Sequence, residues 1–448
     1  ESIQDIPSTV NAIDGDALKN FNVFSFTDLD ALTAGLNINS FNGRSGRIDL
    51  RGIDYNPNSA AETTVSTYWN QAIVDSNAVF QQMFDIQRVE VLRGPQGSLA
   101  GRTSPAGAIN IHTARANLDE MEGGIRTTVA DNDRVNTQVA GSFVLIPGEL
   151  AVRIAGVYDE SNLDEIKNDV NGNITQDQSK ASRVSLSWLP TDSLSVDLAV
   201  QYLERVNDDI FGLEGAPTGI PGLQDPNGVL RELGAFDRRG AVFGLANGME
   251  DNTTAKFWNS SLVLEWDLNS HTITSVTGYH DTESTRGFDN ALGNANPANV
   301  ARRVAIDDRT DWSQELRIAS NEGDLWNYML GAYYENSDVY FSQENFLIPA
   351  AANAPPFGAS GSTKLVFPAD VRRWGLFTHN QFYLAEALTL HVGLRYQEVD
   401  QDRELFSVAG TEGFSPQTIP ATLPADTLLQ QVLSDGKKNE SDDSVTGQ

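Results

Sequence analysis

The chain has 448 residues, a formal net charge of −30 at pH 7 and no cysteine. A sequence without cysteine has no disulfide framework and no thiolate chemistry, and its acidic balance excludes non-specific binding to nucleic-acid phosphates. Hydrophobic residues make up 40% of the chain, which is enough for folded structure. They alternate with polar residues, however, and no run approaches the ~18 apolar residues of a membrane helix.

Residues 1–116 are predicted to form a compact domain of mixed α and β structure. A polar apex over residues 54–64 interrupts its elements. The predicted elements are a helix over Ser25–Leu32, a strand over Arg47–Ile53, a hairpin of Val65–Trp69 and Ala72–Val74, and a short helical piece over residues 79–84.

The stretch from Val89 to Thr113 contains two short alternating segments around a turn region that is rich in glycine and proline. Val89 and Val91 alternate with polar residues, as do Ile109 and Ile111, so each end is predicted as a strand. The glycines and prolines between them exclude a helix and predict tight turns. By itself, this pattern fits an ordinary turn-rich β connection equally well.

From about residue 122 onward, long alternating strands follow one another, and short turns alternate with long polar loops. We count about eleven such strands. No repeat of 20–50 residues is present, which disfavours solenoids and propellers. The last segment of roughly fifty residues is polar and is predicted to contain no strand.

These strands have two distinct faces. Leu388, Leu390, Val392 and Leu394 share one face of the last strand, and polar residues share the other. A soluble sandwich has the same alternation, but three features favour a membrane barrel: strand length, alternation of short and long connections, and aromatic residues at both strand ends. The aromatic residues beside the short turns are Trp188, Trp266, Trp326 and Phe382, and those towards the long loops are Tyr158, Tyr202, Tyr279 and Tyr396.

With both parts considered, the chain resembles a TonB-dependent outer-membrane receptor over nearly its whole length. The segment Val89–Leu99, followed by Gly101-Arg102 and Gly107–Ile111, is similar to the plug signature of that family. Ile48–Ile53 resembles its other arginine-glycine strand, and Ser313–Ser320 resembles a recurring barrel strand. The resemblance implies an antiparallel membrane β-barrel, residues 117–448, with residues 1–116 as an α+β plug domain in its lumen.

The sequence also departs from the family pattern. Ala100 stands where the family often has Tyr, Ala106 where it often has Gly, and Asn70-Gln71 where it usually has Asp-Gly. Barrels of this family have about twenty-two strands. Since about eleven strands are predicted here, we expect a C-terminal half of the barrel after Gln448. The resemblance also implies a TonB box before Glu1.

The resemblance also suggests which residues hold the plug in place. Arginine in a buried polar lumen needs a carboxylate partner, and plug arginines of the family pair with barrel glutamates. Arg51 and Arg93 are the predicted plug-lock arginines, and Glu315 and Glu398 are their predicted partners.

Ligand contacts are predicted at the plug apices, although the same residues suit plain solvated turns. The candidates are Tyr55, Asn56, Asn58, Arg102 and Thr103. No catalytic constellation is present, the five histidines lack metal-ligand spacing,, and no cofactor is predicted.

The predicted function is TonB-dependent import of a scarce nutrient, such as a ferric siderophore, across the bacterial outer membrane. The expected partners are the TonB–ExbB–ExbD complex, outer-membrane lipid and lipopolysaccharide, and the extracellular substrate. Two alternatives are a plugged barrel with a structural or adhesive role and a soluble carbohydrate-binding β protein.

Overall fold

The computed structural model describes residues 9–41, 44–53, 63–75, 82–94, 101–102, 104–167, 174–208, 213–214, 231–232, 252–289, 299–321, 323, 325–349, 361–385, 388–410 and 431–447. Two large sheets lie within these residues, one of five strands and one of twelve. The predicted domain boundary at residues 116 and 117 falls in the connection between the two sheets, which runs from residue 114 to residue 121.

The N-terminal domain is built on the five-stranded sheet. The elements are β1 (Thr9–Asp14), α1 (Gly15–Asn20), a 3₁₀ helix (Phe26–Leu32), β2 (Leu36–Phe41), β3 (Arg44–Leu50), β4 (Val65–Trp69), β5 (Ala72–Val74), β6 (Ile86–Arg93) and β7 (Gly107–Thr113). The spatial order of the sheet is β1-β6-β7-β4-β5. The β4 and β7 strands are parallel, and the other neighbours are antiparallel. A separate antiparallel pair, β2 and β3, packs nearby.

One apolar core holds these elements together. Val89 and Val91 of β6 and Ile109 of β7 are fully buried in it. Both ends of the glycine-rich stretch are therefore strands, as predicted, and they pair antiparallel. Gly94 and Gly107 have φ values of +93° and +152°, conformations that glycine adopts without the steric cost of a side chain.

Two local predictions need correction. The predicted helix over Ser25–Leu32 is a 3₁₀ helix over Phe26–Leu32, and the Asp28 carboxylate accepts a hydrogen bond from the Ser25 backbone N–H at 2.8 Å. The strand predicted to end at Ile53 ends at Leu50, because Arg51 and Gly52 both have positive φ values and turn the chain. The hairpin turn at Asn70-Gln71 is where the sequence predicts it, with φ values of 47° and 70°. The helical piece predicted over residues 79–84 lies partly outside the described residues, and residues 82–84 are not helical.

Twelve antiparallel strands form the second sheet. They are β8 (Glu122–Ala130), β9 (Arg134–Ile146), β10 (Leu150–Lys167), β11 (Ile174–Thr191), β12 (Leu194–Asp208), β15 (Asn252–Asp267), β16 (His271–Asp289), β17 (Asn299–Ser320), β18 (Trp326–Pro349), β19 (Gly361–Ala385), β20 (Leu388–Gly410) and β21 (Gln431–Gly447). Their spatial order is β21-β20-β19-β18-β17-β16-β15-β12-β11-β10-β9-β8. A small pair, β13 (Leu213–Glu214) and β14 (Arg231–Glu232), lies between β12 and β15 in the chain.

The strand β21 is a correction to the sequence analysis, which predicted no strand in the last polar segment. It pairs with β20 from Leu394 to Ala409. Its sequence lacks the alternation of apolar and polar residues that identified the other strands. The strand is therefore defined by its backbone pairing with β20 and not by its side-chain pattern,.

The large sheet has an apolar outer face and a polar inner face. Leu388, Leu390 and Leu394 are 56, 47 and 53% exposed, whereas Arg395 on the opposite face is 2% exposed. The N-terminal domain covers the inner face through the contacts described below. Aromatic side chains mark two levels on the outer face, as in Trp326 stacked on Phe382 near the short turns and Trp374 against Tyr396 farther along. Among the described residues, no helix is long and apolar enough to cross a membrane.

Candidate functional site between the two domains

Asp85, which precedes β6, is held by two arginines of the large sheet. Arg153 on β10 donates to both of its carboxylate oxygens, at 2.6 and 2.9 Å. Arg183 on β11 donates to the carboxylate at 3.0 Å and to the backbone carbonyl oxygens of Phe84 and Asp85 at 3.2 and 2.7 Å. Burial alone would raise the pKa of Asp85, but the two guanidinium groups outweigh it and hold the pKa below its ordinary value of 3.8,. Asp85 therefore stays ionised and anchors one side of the N-terminal domain.

A second acidic anchor lies at the end of β5. The Asp75 carboxylate accepts a hydrogen bond from Arg309 of β17 at 2.7 Å, and Arg309 is also paired with Asp311 of its own strand at 2.7 Å. Nearby, Arg317 donates to the Gln71 side-chain oxygen at 2.5 Å. The β4–β5 hairpin is thus fixed to the sheet by hydrogen bonds from two arginines of one strand.

Gly101 and Arg102, which precede β7 and which we call the apical segment, meet a buried carboxylate, that of Glu335 on β18. Arg102 donates to it at 2.9 Å and Arg373 of β19 at 3.0 Å. Tyr333 and Ser337 donate hydroxyl hydrogen bonds to it at 2.6 and 3.1 Å. Glu335 is only 1% exposed, and a buried carboxylate of this kind needs charged partners to offset the loss of hydration.

Gly101 sits so close to the sheet that a side chain would not fit. A Cβ atom at this position would lie 2.2 Å from Tyr333 Cδ2 and within 3.0 Å of the Glu315 carboxylate. The Gly101 carbonyl oxygen accepts a hydrogen bond from Arg395 of β20. The apical segment is therefore in direct backbone contact with the inner face of the sheet.

The predicted plug-lock residues occupy other surroundings. Arg93 donates to the Ala34 carbonyl oxygen at 2.7 Å, within its own domain, and Arg51 is exposed at the positive-φ turn after β3. Glu315 lies beside Gly101 and pairs with Arg317 at 3.1 Å. Glu398 shares the outer face with Tyr396, whose hydroxyl donates to it at 3.4 Å. Within the described parts of the chain, neither Arg51 nor Arg93 reaches either glutamate.

The predicted ligand residues are mostly not described by the structure. Tyr55, Asn56, Asn58 and Thr103 lie outside the described residues. Arg102 is 9% exposed and paired with Glu335. Its role as a ligand contact stays a prediction, because no ligand is part of the structure.

The contacts that sequence reasoning missed have mainly the opposite polarity, with acidic residues on the N-terminal domain and arginines on the sheet. They are Asp75, Asp85, Arg153, Arg183 and Arg309, together with Glu335. A detectable signal existed for three of them, since Arg153, Arg183 and Arg309 occupy the polar face of alternating strands, where a large cation requires a partner. Among the residues with described positions, no group of three or more acidic or histidine side chains could hold a metal ion.

Two family models match this chain. "TonB-dependent Receptor Plug Domain" matches residues 2–108, and "TonB dependent receptor-like, beta-barrel" matches residues 197–418. Together they cover most of the chain; the first match falls on the five-stranded sheet and the second lies within the twelve-stranded sheet. The chain belongs to the TonB-dependent receptor family, and we call its domains the plug and the barrel from here on.

Individual relatives are more distant or match over shorter segments. The pesticin receptor of Yersinia pestis is 32% identical over 144 residues, covering 30% of this chain and 20% of the relative. The catecholate siderophore receptor Fiu of Escherichia coli K12 is 23% identical over 347 residues, covering 73% and 40%.

Solved structures share the fold at low sequence identity. The ferric yersiniabactin uptake receptor FyuA of Yersinia pestis superimposes with a TM-score of 0.73 at 17% identity, over 98% of this chain and 61% of that one. The siderophore receptor PiuA of Acinetobacter baumannii gives 0.70 at 15% identity, over 99% and 62%. The chain thus spans at most two fifths of the length of these curated relatives and about three fifths of these solved structures.

Proposed function

We propose that this chain is the plug and part of the barrel of an outer-membrane receptor that imports a ferric siderophore. The observation that carries the proposal is the polar contact between the two domains, in which buried ion pairs hold a separately folded plug against the inner face of a sheet whose outer face is apolar. Buried ion pairs are specific in geometry, and they are lost when the partners are pulled apart. Such a contact suits a plug that must be held in one position and yet be able to move out of it.

The proposed substrate class follows from the relatives. The matched proteins include a catecholate siderophore receptor and a ferric yersiniabactin receptor. We assign the external ligand contacts to the plug apices, at Tyr55, Asn56, Asn58, Arg102 and Thr103. The plug comprises residues 1–116 and the barrel continues from residue 117.

Import against a gradient requires energy, which an outer-membrane protein must receive from elsewhere. We assign that role to the TonB–ExbB–ExbD complex, pulling on the segment that precedes β1. The short turns then face the periplasm, and the long connections face outward towards the lipopolysaccharide leaflet. The plug is drawn partly out of place, which is feasible because local elements open at a lower free-energy cost than the whole fold.

The experiment is ⁵⁵Fe uptake in a deletion strain that carries the full-length receptor. The probes are ferric complexes of a catecholate, a phenolate-thiazoline and a hydroxamate siderophore. We expect uptake of at least one complex, with loss of uptake when an uncoupler collapses the proton gradient. Uptake that persists with the uncoupler, or no uptake of any complex, would favour a passive structural barrel.

A further inference from the structure

A cavity of about 350 Å³ separates the plug from the barrel wall near the short turns. On the plug side it is lined by Arg88 and His112 of β6 and β7, and on the wall side by Ser185, Ser187 and Ser261 of β11 and β15. Its volume falls within the range of small-molecule sites. The cavity therefore has room for a ligand-sized group where the plug and the wall are not in contact.

Strong contacts border this cavity on two sides. Towards the long loops, the wall continues to Arg183, which holds Asp85. Towards β17, Arg317 holds Gln71 in the hairpin turn. The cavity is thus a gap with fixed walls, set between two anchored parts of the plug.

The contacts that cross the cavity are weaker. Ser261 donates one hydrogen bond to the Asn70 carbonyl oxygen at 2.9 Å. At the short-turn end, Arg115 of the connection between plug and barrel pairs with Asp197 of β12 at 3.2 Å, and the Arg115 side chain is 56% exposed. Exposed ion pairs contribute little to stability because water screens them. Among the described residues, opening the plug along this wall breaks this screened ion pair, this neutral hydrogen bond and the apolar packing of Ala72 against Val263. Opening it at Asp75, Asp85 or Glu335 breaks buried ion pairs.

We propose that this cavity is the exit of the import path on the periplasmic side, and that the Arg115–Asp197 ion pair is its closing contact. The inference rests on the proposed function. The cavity is lined by hydroxyl, amide and guanidinium groups, by the carboxylates of Asp197 and Glu265, and by apolar side chains such as Val263. The hydrogen-bond donors among these groups suit a polar chelate rich in oxygen atoms, because they replace the hydrogen bonds that the chelate makes with water. The small serine side chains of the wall leave the space for it to pass.

The test uses the full-length receptor with Ser185→Cys, which places a thiol in the cavity. Residues 1–448 contain no other cysteine, and the unsubstituted receptor treated with the same reagent is the control for the rest of the protein. A methanethiosulfonate reagent then adds a bulky group to the cavity through a disulfide bond that dithiothreitol removes. The matched control is Thr389→Cys, also on the inner face near a short turn but on β20, away from this cavity. Uptake is measured with the three ⁵⁵Fe complexes named above, and surface binding is measured in the presence of uncoupler.

We expect modification of Ser185→Cys to lower uptake at least tenfold, dithiothreitol to restore it, and surface binding to stay unchanged. Modified Thr389→Cys should keep its uptake. Uptake that is unaffected by modification at position 185 would overturn the exit assignment while leaving the proposed function intact. If the unmodified variant takes up none of the complexes, the proposed function fails, and the exit assignment fails with it.

A second measurement addresses the closing contact itself. Adding Arg115→Ala to Ser185→Cys should raise the rate of thiol modification from the periplasm several-fold, because the closing ion pair is removed. An unchanged rate would show that Arg115 does not close the cavity.

Discussion

At the scale of single residues, short acidic side chains of the plug meet long arginine side chains of the barrel. Arginine can extend from a wall strand and still present its donors in a fixed fork, which matches a carboxylate. The sequence predicted charge pairing between plug arginines and barrel glutamates. That polarity is found in the pair Arg102–Glu335, although with other residues than predicted, and it is reversed at Asp75 and Asp85. The pairs could not be read from the sequence because Asp75 and Arg309, for example, are 234 positions apart.

Glu335 provides the sharpest test of these contacts. Replacing it by alanine leaves Arg102 and Arg373 without their buried partner, which costs about 3–5 kcal/mol. We expect a lower free energy of unfolding in detergent and faster hydrogen exchange in β7. The matched control is Glu398→Ala on the outer face, which should change stability by at most about 0.5 kcal/mol. Equal effects of the two changes would argue against Glu335 as an anchor of the apical segment.

Glu90 predicts a pH dependence of plug stability. The His112 ring, whose Nε2 lies 3.5 Å from the carboxylate, and Arg88, which donates to it at 2.6 Å, lower the pKa of Glu90 from 4.5 to about 2 against the opposing effect of partial burial. A carboxylate with a depressed pKa stabilises the fold above its unfolded pKa, and this stabilisation is lost as the pH falls towards the folded value. Protection of the β6 and β7 amides should therefore decrease between pH 4.5 and about 2. The decrease should be smaller in Glu90→Gln, and an identical pH profile of the two proteins would refute the assignment.

At the scale of elements, the plug strands and most barrel strands could be predicted, because alternation of apolar and polar residues reports directly on two-faced strands. The strand β21 could not, since its sequence has no such alternation. The turn after Leu50 was also missed, because Arg51 adopts a positive φ that its residue type does not indicate,. The two rows of aromatic side chains on the outer face, in contrast, could be predicted from the aromatic residues at the strand ends.

The close approach of the apical segment makes Gly101 intolerant of any side chain. Gly101→Ala should displace the segment from Tyr333 and Glu315 and destabilise the protein by about 1–3 kcal/mol. Gly124→Ala on β8, where a Cβ atom would meet no atom within 4 Å, is the control and should be neutral. Thermal unfolding in detergent measures both. A neutral Gly101→Ala would mean that the apical segment does not contact the wall closely.

On the proposed function lipid surrounds the outer face of β20, so this face should be sensitive to charge. Leu394→Arg should cost about 2–4 kcal/mol if this position lies near the bilayer midplane. Thr389→Arg on the inner face should cost much less. Heat-modifiable mobility in gels reports the fraction of folded barrel, and equal folded fractions for the two variants would contradict the assignment of faces.

At the scale of the whole molecule, a plug whose apolar core is formed almost entirely by its own residues is attached to the barrel by ion pairs and by smaller apolar contacts, such as Phe84 packed against Leu203 and Phe257. This division makes separate movement feasible, because the plug can shift without opening its core. The family resemblance predicted this arrangement from the plug signature. The sequence pattern indicates only that arginines on the polar faces of strands need partners, and it indicates neither which plug residues they meet nor where the gap lies.

The most direct test of the central claim, that ion pairs hold the plug as a movable seal, is the conductance of the full-length receptor in planar lipid bilayers. Asp75→Asn combined with Asp85→Asn removes the charges that face Arg309, Arg153 and Arg183. We predict that the unsubstituted receptor stays closed and that the double variant shows frequent openings. If the double variant stays as closed as the unsubstituted receptor, these ion pairs do not seat the plug and the account is contradicted.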